Sequence, residues 1–142
     1  MKKNKFIMLT LSACLIGIII YYLNTYKVGN IDNVSEGFVK SEIYSEEEIK
    51  DAMNIVKKKF EKDFKGCILT DLWYGENISR RSESEWAKQY NADEAIILLS
   101  NFNVGSSGMD GSLNPNTTYC EWQWILVRNN SNDKWSLKTW GY

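Results

Sequence analysis

The chain has 142 residues, with six Trp, eight Tyr, one Pro and no His, and its formal net charge is −1. This length suits one domain with an accessory segment and excludes two full domains. Because His is absent, the chain cannot contain a Ser-His-Asp triad, a Cys-His dyad, a His-ligated metal site or a His general base.

The first feature along the chain is an uncharged run of 18 residues from Phe6 to Leu23. A helix of this length spans about 27 Å, close to the hydrocarbon thickness of a bilayer. Three lysines precede the run and only Lys27 follows it closely, which places the N-terminus in the cytoplasm by the positive-inside rule. We therefore expect residues 1–27 to form a single-pass membrane anchor, with residues 6–23 in the cell membrane and the C-terminal domain extracytoplasmic.

A cleaved signal peptide and a lipoprotein signal are the two alternatives to this anchor. No A-x-A cleavage site follows the run. Residues 11–14 have the form of a bacterial lipobox in which Cys14 would carry the lipid, but an apolar segment follows where a polar tether is usual. All three interpretations export residues 28–142, whose 13 basic and 18 acidic residues give a net charge of −5. An acidic, exported domain is not expected to bind nucleic acid.

Residues 28–43 lack a regular period and are predicted to form a stalk or linker. A helix signal follows, because Ser45 and Glu48 have the spacing of a capping box. Apolar residues then recur at spacings of three and four, which is typical of a helix packed on a core. We predict a helix from about residue 46 to residue 64. Its apolar stripe comprises Ile49, Met53, Val56, Phe60 and Phe64.

The remaining sequence predicts four strands and a short helix. The strands are expected over residues 67–74, 95–104, 118–128 and 134–140. The short helix is expected over residues 85–90, with Ser84 as its cap. Alternation along the third strand places Cys120, Trp122 and Trp124 on one face.

Residues 44–142 are therefore predicted to form one extracytoplasmic α+β domain. The expected architecture is one long N-terminal helix packed on a curved, mostly antiparallel sheet of about four strands, preceded by a transmembrane helix.

Four segments of this domain resemble an uncharacterised family of small exported or membrane-anchored proteins of Gram-positive anaerobes, built on a domain of unknown function. The segments are KGCILTDLWY, WAKQYNADEAIILLSNF, DGSLNPNTTYCEWQWILVRN and WSLKTWGY. The resemblance covers about residues 44–142 and supplies no catalytic residue. The order of elements also resembles the NTF2-like cone fold, which hosts unrelated functions.

Aromatic residues and cysteines are the candidates for a functional site. The aromatic residues could line a cleft for sugar rings or apolar ligands, although large aromatics on strands more often fill a core. The predicted cleft comprises Trp73, Trp122, Trp124 and Trp140. If both are exported, Cys67 and Cys120 are chemically able to form a disulfide, but we favour their burial as two small hydrophobic residues.

No catalytic residue, metal site or cofactor is predicted. The acids in or near strands and loops are Asp71, Asp93, Glu94, Asp110 and Glu121. Their spacing brings no two together, as glycosidase chemistry would require. Residues 110–116 offer oxygen ligands but lack the EF-hand pattern, so an Asx-stabilised turn is expected.

We therefore expect a membrane-anchored, extracytoplasmic binding domain and not an enzyme. Its partner would be an envelope protein, a glycan or a small ligand. The alternatives are a cell-envelope enzyme that uses carboxylates, and an immunity or accessory protein that masks a partner. The enzyme requires two acids that converge in one pocket.

Overall fold

The computed structural model describes residues 12–22, 28–37 and 41–142. Within these ranges the protein is an α+β fold with one five-stranded mixed sheet and four helices. The helices are α1 (residues 12–22), α2 (Glu46–Asp63), α3 (Glu76–Gln89) and α4 (Gly108–Gly111). The strands are β1 (Ser35–Gly37), β2 (Cys67–Tyr74), β3 (Glu94–Val104), β4 (Thr118–Arg128) and β5 (Ser136–Gly141).

The strands lie in the sheet in the same order as in the chain. The pair β1–β2 is parallel, and the other three pairs are antiparallel. The prediction of about four strands is wrong, because residues 28–43 contribute a fifth strand. In that segment Ser35–Gly37 pairs with Asp71–Trp73, and Asn30 forms a bridge with Ile68.

The N-terminal part of this segment also packs on α2. The Gly29 N–H donates to the Glu61 carbonyl over 2.8 Å. A Cβ atom at residue 29 would lie 2.4 Å from the Phe60 carbonyl oxygen, so the close approach requires glycine. Residues 28–37 are therefore part of the folded unit, where a stalk was expected.

Helix α2 begins and packs as its sequence predicts. Ser45 and Glu48 form the capping box, and the predicted apolar stripe is buried throughout. However, α2 is not the N-terminal element of the fold, because α1 and β1 precede it. The predicted architecture is wrong in this respect.

The transmembrane helix predicted over residues 6–23 is contradicted by the structure. Within the described ranges, no helix is both long and apolar enough to cross a membrane. Residues 6–11 and 23 of the predicted span lie outside the described residues. The predicted single-pass localisation depended on that span and is wrong with it, whereas the predicted partners stay predictions.

The main core lies between α2 and one face of the sheet, which we call the α2 face. Its centre is an aromatic cluster in which Phe64 stacks on Phe60 with ring centroids 4.7 Å apart. The Phe64 ring lies 5.2 Å from Trp124, and the Phe60 ring lies 5.6 Å from Phe102. All four side chains are buried, so this face supplies most of the apolar burial.

Helix α3 packs against the opposite face, which we call the α3 face, and is longer than the helix predicted over residues 85–90. It begins directly after β2 and has no side-chain cap at its start. The pairing of β2 with β3 ends at Tyr74 and Leu98. At the next residue of β3, the Ile97 N–H donates instead to the buried Ser79 hydroxyl of α3 over 3.4 Å. The first turns of α3 therefore cover the edge of β3, a tertiary role that leaves no apolar period in the sequence.

Candidate functional site

The four predicted cleft tryptophans do not meet in one place. Trp124 is fully buried in the aromatic core, and Trp140 stacks on it at 6.0 Å with 37% of its surface exposed. Trp122 is half-buried on the same face, and its buried indole N–H has no hydrogen-bond partner among the described residues. Trp73 alternates with buried Leu72 and therefore points to the α3 face.

Trp73 lines a cleft on the α3 face, which we call the Trp73 cleft, with a volume of about 570 Å³. Its apolar part contains Trp73 together with Leu99, the cross-strand partner of Trp73 on β3. Its polar part comes from three places, which are the start of α3, Glu121 on β4 and the segment before α2. The lining residues are Glu42, Trp73, Tyr74, Gly75, Glu76, Asn77, Ile78, Arg80, Leu99 and Glu121.

Arg80 joins two of the carboxylates at the rim of this cleft. Its Nη2 lies 2.6 Å from Glu42 Oε2 and 3.1 Å from Glu76 Oε1. The Glu42 backbone N–H also donates to Glu76 Oε1 over 3.3 Å. The hydrogen bond to Glu42 raises the pKa of the Arg80 guanidinium, so both carboxylates face a permanent cation.

The third carboxylate of the cleft, Glu121, stands on a β-bulge. Ser100 pairs with Trp122 and Phe102 pairs with Tyr119, so two residues of β4 oppose one residue of β3. Glu121 has a φ of 55°, a left-handed conformation that is uncommon for a residue other than glycine.

A second bulge lies at the same level on the other side of β3. Between Leu69 and Asp71 the register of β2 shifts relative to β3, opposite Asn101. The Asn101 side chain donates to Asp71 Oδ2 over 3.2 Å and accepts the Glu121 backbone N–H over 3.0 Å. The Thr70 hydroxyl donates toward Asp71 Oδ2 at 2.8 Å. One amide therefore connects the two bulges.

These bonds hold the backbone of Glu121 and leave its side chain free to interact. The Glu121 side chain is exposed, and its carboxylate has no hydrogen-bond or ion-pair partner among the described residues. The bulge also corrects the face predicted for Cys120, which is exposed, whereas Trp122 packs against the core. Alternation counted through β4 could not detect the extra residue.

A second cavity, which we call the Arg128 pocket, has a volume of about 410 Å³ and lies between α2, α3 and the start of β3. The side chain of Arg128 is only 4% exposed and donates to Glu48 Oε1 at 2.5 Å and to Glu94 Oε2 at 2.6 Å. Its guanidinium carbon lies 4.2 Å from the centroid of the Trp135 ring. This arrangement ties the start of α2 to the sheet.

The charges in the Arg128 pocket shift one another's protonation. Burial alone would raise the pKa of Glu48, but hydrogen bonds from Ser45 and Arg128 outweigh burial and hold it below its usual value. For Glu83 burial prevails over the nearby Arg80 and raises the pKa, with a further contribution from Glu94. One carboxylate oxygen of Glu83 is buried without a hydrogen-bond partner among the described residues.

The structure places the remaining candidate residues as follows. Asp93 and Glu94 both line the Arg128 pocket, although sequence spacing predicts no meeting of two acids. Asp110 lies in α4 with a left-handed φ of 58° and is exposed. Within the described ranges, no group of three or more His, Cys, Asp or Glu side chains could hold a metal ion.

All three cysteines are free. Cys67 is buried, and burial raises the pKa of its thiol to about 11, so it packs as a small hydrophobic residue. Cys120 is exposed, contrary to the burial that we favoured, and no disulfide joins it to Cys67. Cys14 is exposed in α1, and its lipidation stays a prediction.

Comparisons of the chain with protein-family models, curated proteins and solved structures find no match. The resemblance to the exported family and the likeness to the NTF2-like cone therefore stay predictions. Any assignment of function depends on the site geometry alone.

Proposed function

We propose that the protein is a non-catalytic ligand-binding domain and that the Trp73 cleft is its binding site. The ligand class is a small molecule with an apolar ring face and a hydrogen-bonding edge, such as a sugar. The observation that carries the proposal is the cleft itself, in which an aromatic side chain lies beside an amide, a guanidinium and carboxylates. Its volume is within the range of about 300–1,000 Å³ typical of small-molecule sites.

The position of the cleft also favours binding. The α2 face is filled by its own aromatic residues, so it has little surface to offer a ligand. On the α3 face Trp73 remains half-buried while Leu99 beneath the cleft is 3% exposed. A flat apolar ring placed against Trp73 would bury surface that the fold leaves accessible. The exposed side chain of Asn77 is available at the rim for the polar edge of such a ligand.

A catalytic role for the carboxylates of the cleft is less well supported. General acid–base chemistry needs two carboxyl groups whose pKa values are held apart. Here Glu42 and Glu76 both contact the same cation, Arg80, so the structure gives them no separate acid and base roles. With no His in the chain, a third group for proton transfer would have to come from elsewhere.

The proposal is tested by NMR titration of the full chain with N-acetylglucosamine, a neutral sugar. The indole N–H signals of the six tryptophans are followed in a nitrogen-15 spectrum, and the Trp73 signal is to be assigned with Trp73→Phe. We expect millimolar sugar to shift the Trp73 signal and the backbone signals of Asn77 and Arg80. The Trp140 signal should stay in place, because that ring lies on the α2 face.

Trp73→Ala should abolish the shifts of the Asn77 and Arg80 backbone signals, and Trp140→Phe should leave all the expected shifts unchanged. A Trp73 signal that does not move with N-acetylglucosamine, glucosamine or glucose contradicts the proposal. Shifts centred on Trp140 instead would place the ligand on the α2 face and equally reject the Trp73 cleft.

A further inference from the structure

The Trp73 cleft has an excess of negative charge. Three carboxylates line it, from Glu42, Glu76 and Glu121, against the single cation of Arg80. Arg80 is already engaged by Glu42 and Glu76. Glu121 is therefore the carboxylate of the cleft that remains available for a charged partner.

The bulge explains how Glu121 reaches this position. Tyr119 and Trp122 both pack against the α2-face core, although an odd separation would normally put them on opposite faces. The extra residue at the bulge resolves this conflict and keeps Cys120 and Glu121 outside the core. Without it, alternation from Tyr119 would turn the Glu121 side chain toward α2.

The bulge is also costly, and the surrounding bonds support it. A left-handed φ is unfavourable at a residue such as glutamate, because its Cβ atom crowds the backbone. Asn101 offsets this by accepting the Glu121 N–H and is itself bound to Asp71. Two neighbouring strands thus adopt irregular register around one amide, and the side chain displayed by this arrangement is an unpaired carboxylate.

We infer that Glu121 makes the Trp73 cleft selective for a ligand that carries a positively charged amine next to its ring. This inference builds on the proposed function and specifies the ligand class of the same site. The amine would donate charge-assisted hydrogen bonds to the Glu121 carboxylate, while the ring packs on Trp73.

The charge around the cleft acts in the same direction. Arg80 and its two carboxylates lie at the α3 side of the cleft and keep one net negative charge between them. A cationic ligand would therefore meet a favourable potential across the cleft and a specific partner at Glu121.

The test uses two sugars with the same ring, glucosamine and N-acetylglucosamine. At about pH 6 the amine of glucosamine is protonated and a glutamate carboxylate is ionised. We expect the full chain to bind glucosamine about tenfold more tightly, measured by the shift of the Trp73 indole signal. Glu121→Gln should reduce this preference to about twofold or less while N-acetylglucosamine binding is retained.

Glu85→Gln is the matched control, because Glu85 is exposed on α3, is not part of the cleft lining and changes the net charge equally. It should keep the preference for glucosamine. Equal binding of the two sugars by the unaltered chain overturns the inference and leaves the proposed function standing. A preference that persists in Glu121→Gln, or that Glu85→Gln removes, also overturns it. Binding of neither sugar rejects the proposed function and the inference together.

Discussion

The α2 face and the α3 face of the sheet are formed by the same strands but carry different chemistry. On the α2 face, Phe60 and Phe64 from the helix meet Phe102 and Trp124 from the strands in a closed aromatic cluster. On the α3 face, the bulged middle of the sheet carries Asn101 and a network of polar side chains. Because successive side chains of a strand alternate, one set of strands can combine a stabilising face with an adaptable one.

The difference between the faces also shows where irregularity is tolerated. Both bulges lie at the level of Asn101, and near it Phe102 still reaches the aromatic core. Packing on the α2 face therefore stabilises the strands in spite of their irregular register. The irregular register changes which side chains are displayed on the α3 face. We expect substitutions on the α2 face to change stability first, and substitutions in the Trp73 cleft to change binding first.

The largest effect is expected for Phe60→Ala. Phe60 is completely buried and contacts the rings of Phe64, Phe102 and Trp124. Its truncation leaves a cavity at the centre of the cluster, so the free energy of unfolding should fall by about 3–5 kcal/mol. Urea denaturation monitored by tryptophan fluorescence measures this change.

Ile68→Ala is the control for Phe60→Ala, because Ile68 is 50% exposed on β2 and lies outside the cluster. Its effect should be below about 1 kcal/mol. Comparable losses for the two variants would mean that the α2 face does not dominate stability, and the contrast between the faces would fail.

A smaller effect is expected for Arg128→Met, which removes the cation that links α2 to the sheet. Its removal leaves Glu48 and Glu94 close together without a counter-charge. A broken buried ion pair costs about 3–5 kcal/mol, but these carboxylate side chains are 29% and 31% exposed, so we expect about 2 kcal/mol. Denaturant unfolding at neutral pH measures the loss, with exposed Arg81→Met as the control.

The same variant has a defined pH dependence. The pKa of Glu48 is lower in the folded protein than its ordinary value of 4.5, so its contribution is present above that value and is lost as the pH falls. The difference between the unaltered chain and Arg128→Met should therefore shrink on acidification. A difference that is constant down to about pH 3 would show that Arg128 acts through packing on Trp135 alone.

Elements with an unbroken period could be predicted from the sequence, and elements with an interrupted one could not. The stripe of α2 and the capping box at Ser45 are local signals, and both are confirmed. The prediction that Cys120 shares a face with Trp122 is wrong, because the bulge at Glu121 inserts an extra residue into the alternation of β4. The bulge is stabilised by a hydrogen bond to Asn101, which lies twenty residues away in the sequence, so a local pattern cannot predict it.

The Trp73 cleft shows the same division. Trp73 could be selected as a candidate by residue type, whereas Trp124, selected in the same way, fills the core. The polar cleft residues that α3 contributes, Glu76, Asn77 and Arg80, were not predicted, because α3 begins in a segment with little apolar content. Its first turns are stabilised by tertiary contacts such as the Ser79 hydrogen bond, which no periodicity reveals.

The smallest expected effect comes from Glu83→Gln, which tests whether the α3 side carries a group that the fold leaves unsatisfied. One carboxylate oxygen of Glu83 is buried without a partner among the described residues, and burial raises the pKa of this group. Because the folded pKa lies above the unfolded one, ionisation of Glu83 destabilises the folded state once the pH exceeds 4.5, the ordinary value. Removing the charge should therefore increase the free energy of unfolding at neutral pH by about 1 kcal/mol.

The sign and the pH dependence together decide this last prediction. Well below the ordinary pKa both the glutamate and the glutamine are neutral, so the gain from Glu83→Gln should disappear near pH 3. Exposed Glu85→Gln on the same helix should change stability by less than about 0.5 kcal/mol at either pH. If Glu83→Gln instead lowers the free energy of unfolding at neutral pH, the ionised Glu83 carboxylate makes stabilising interactions in the folded protein. The α3 side would then carry no unsatisfied charge in the Arg128 pocket. The contrast between the α2 face and the α3 face would be confined to the Trp73 cleft.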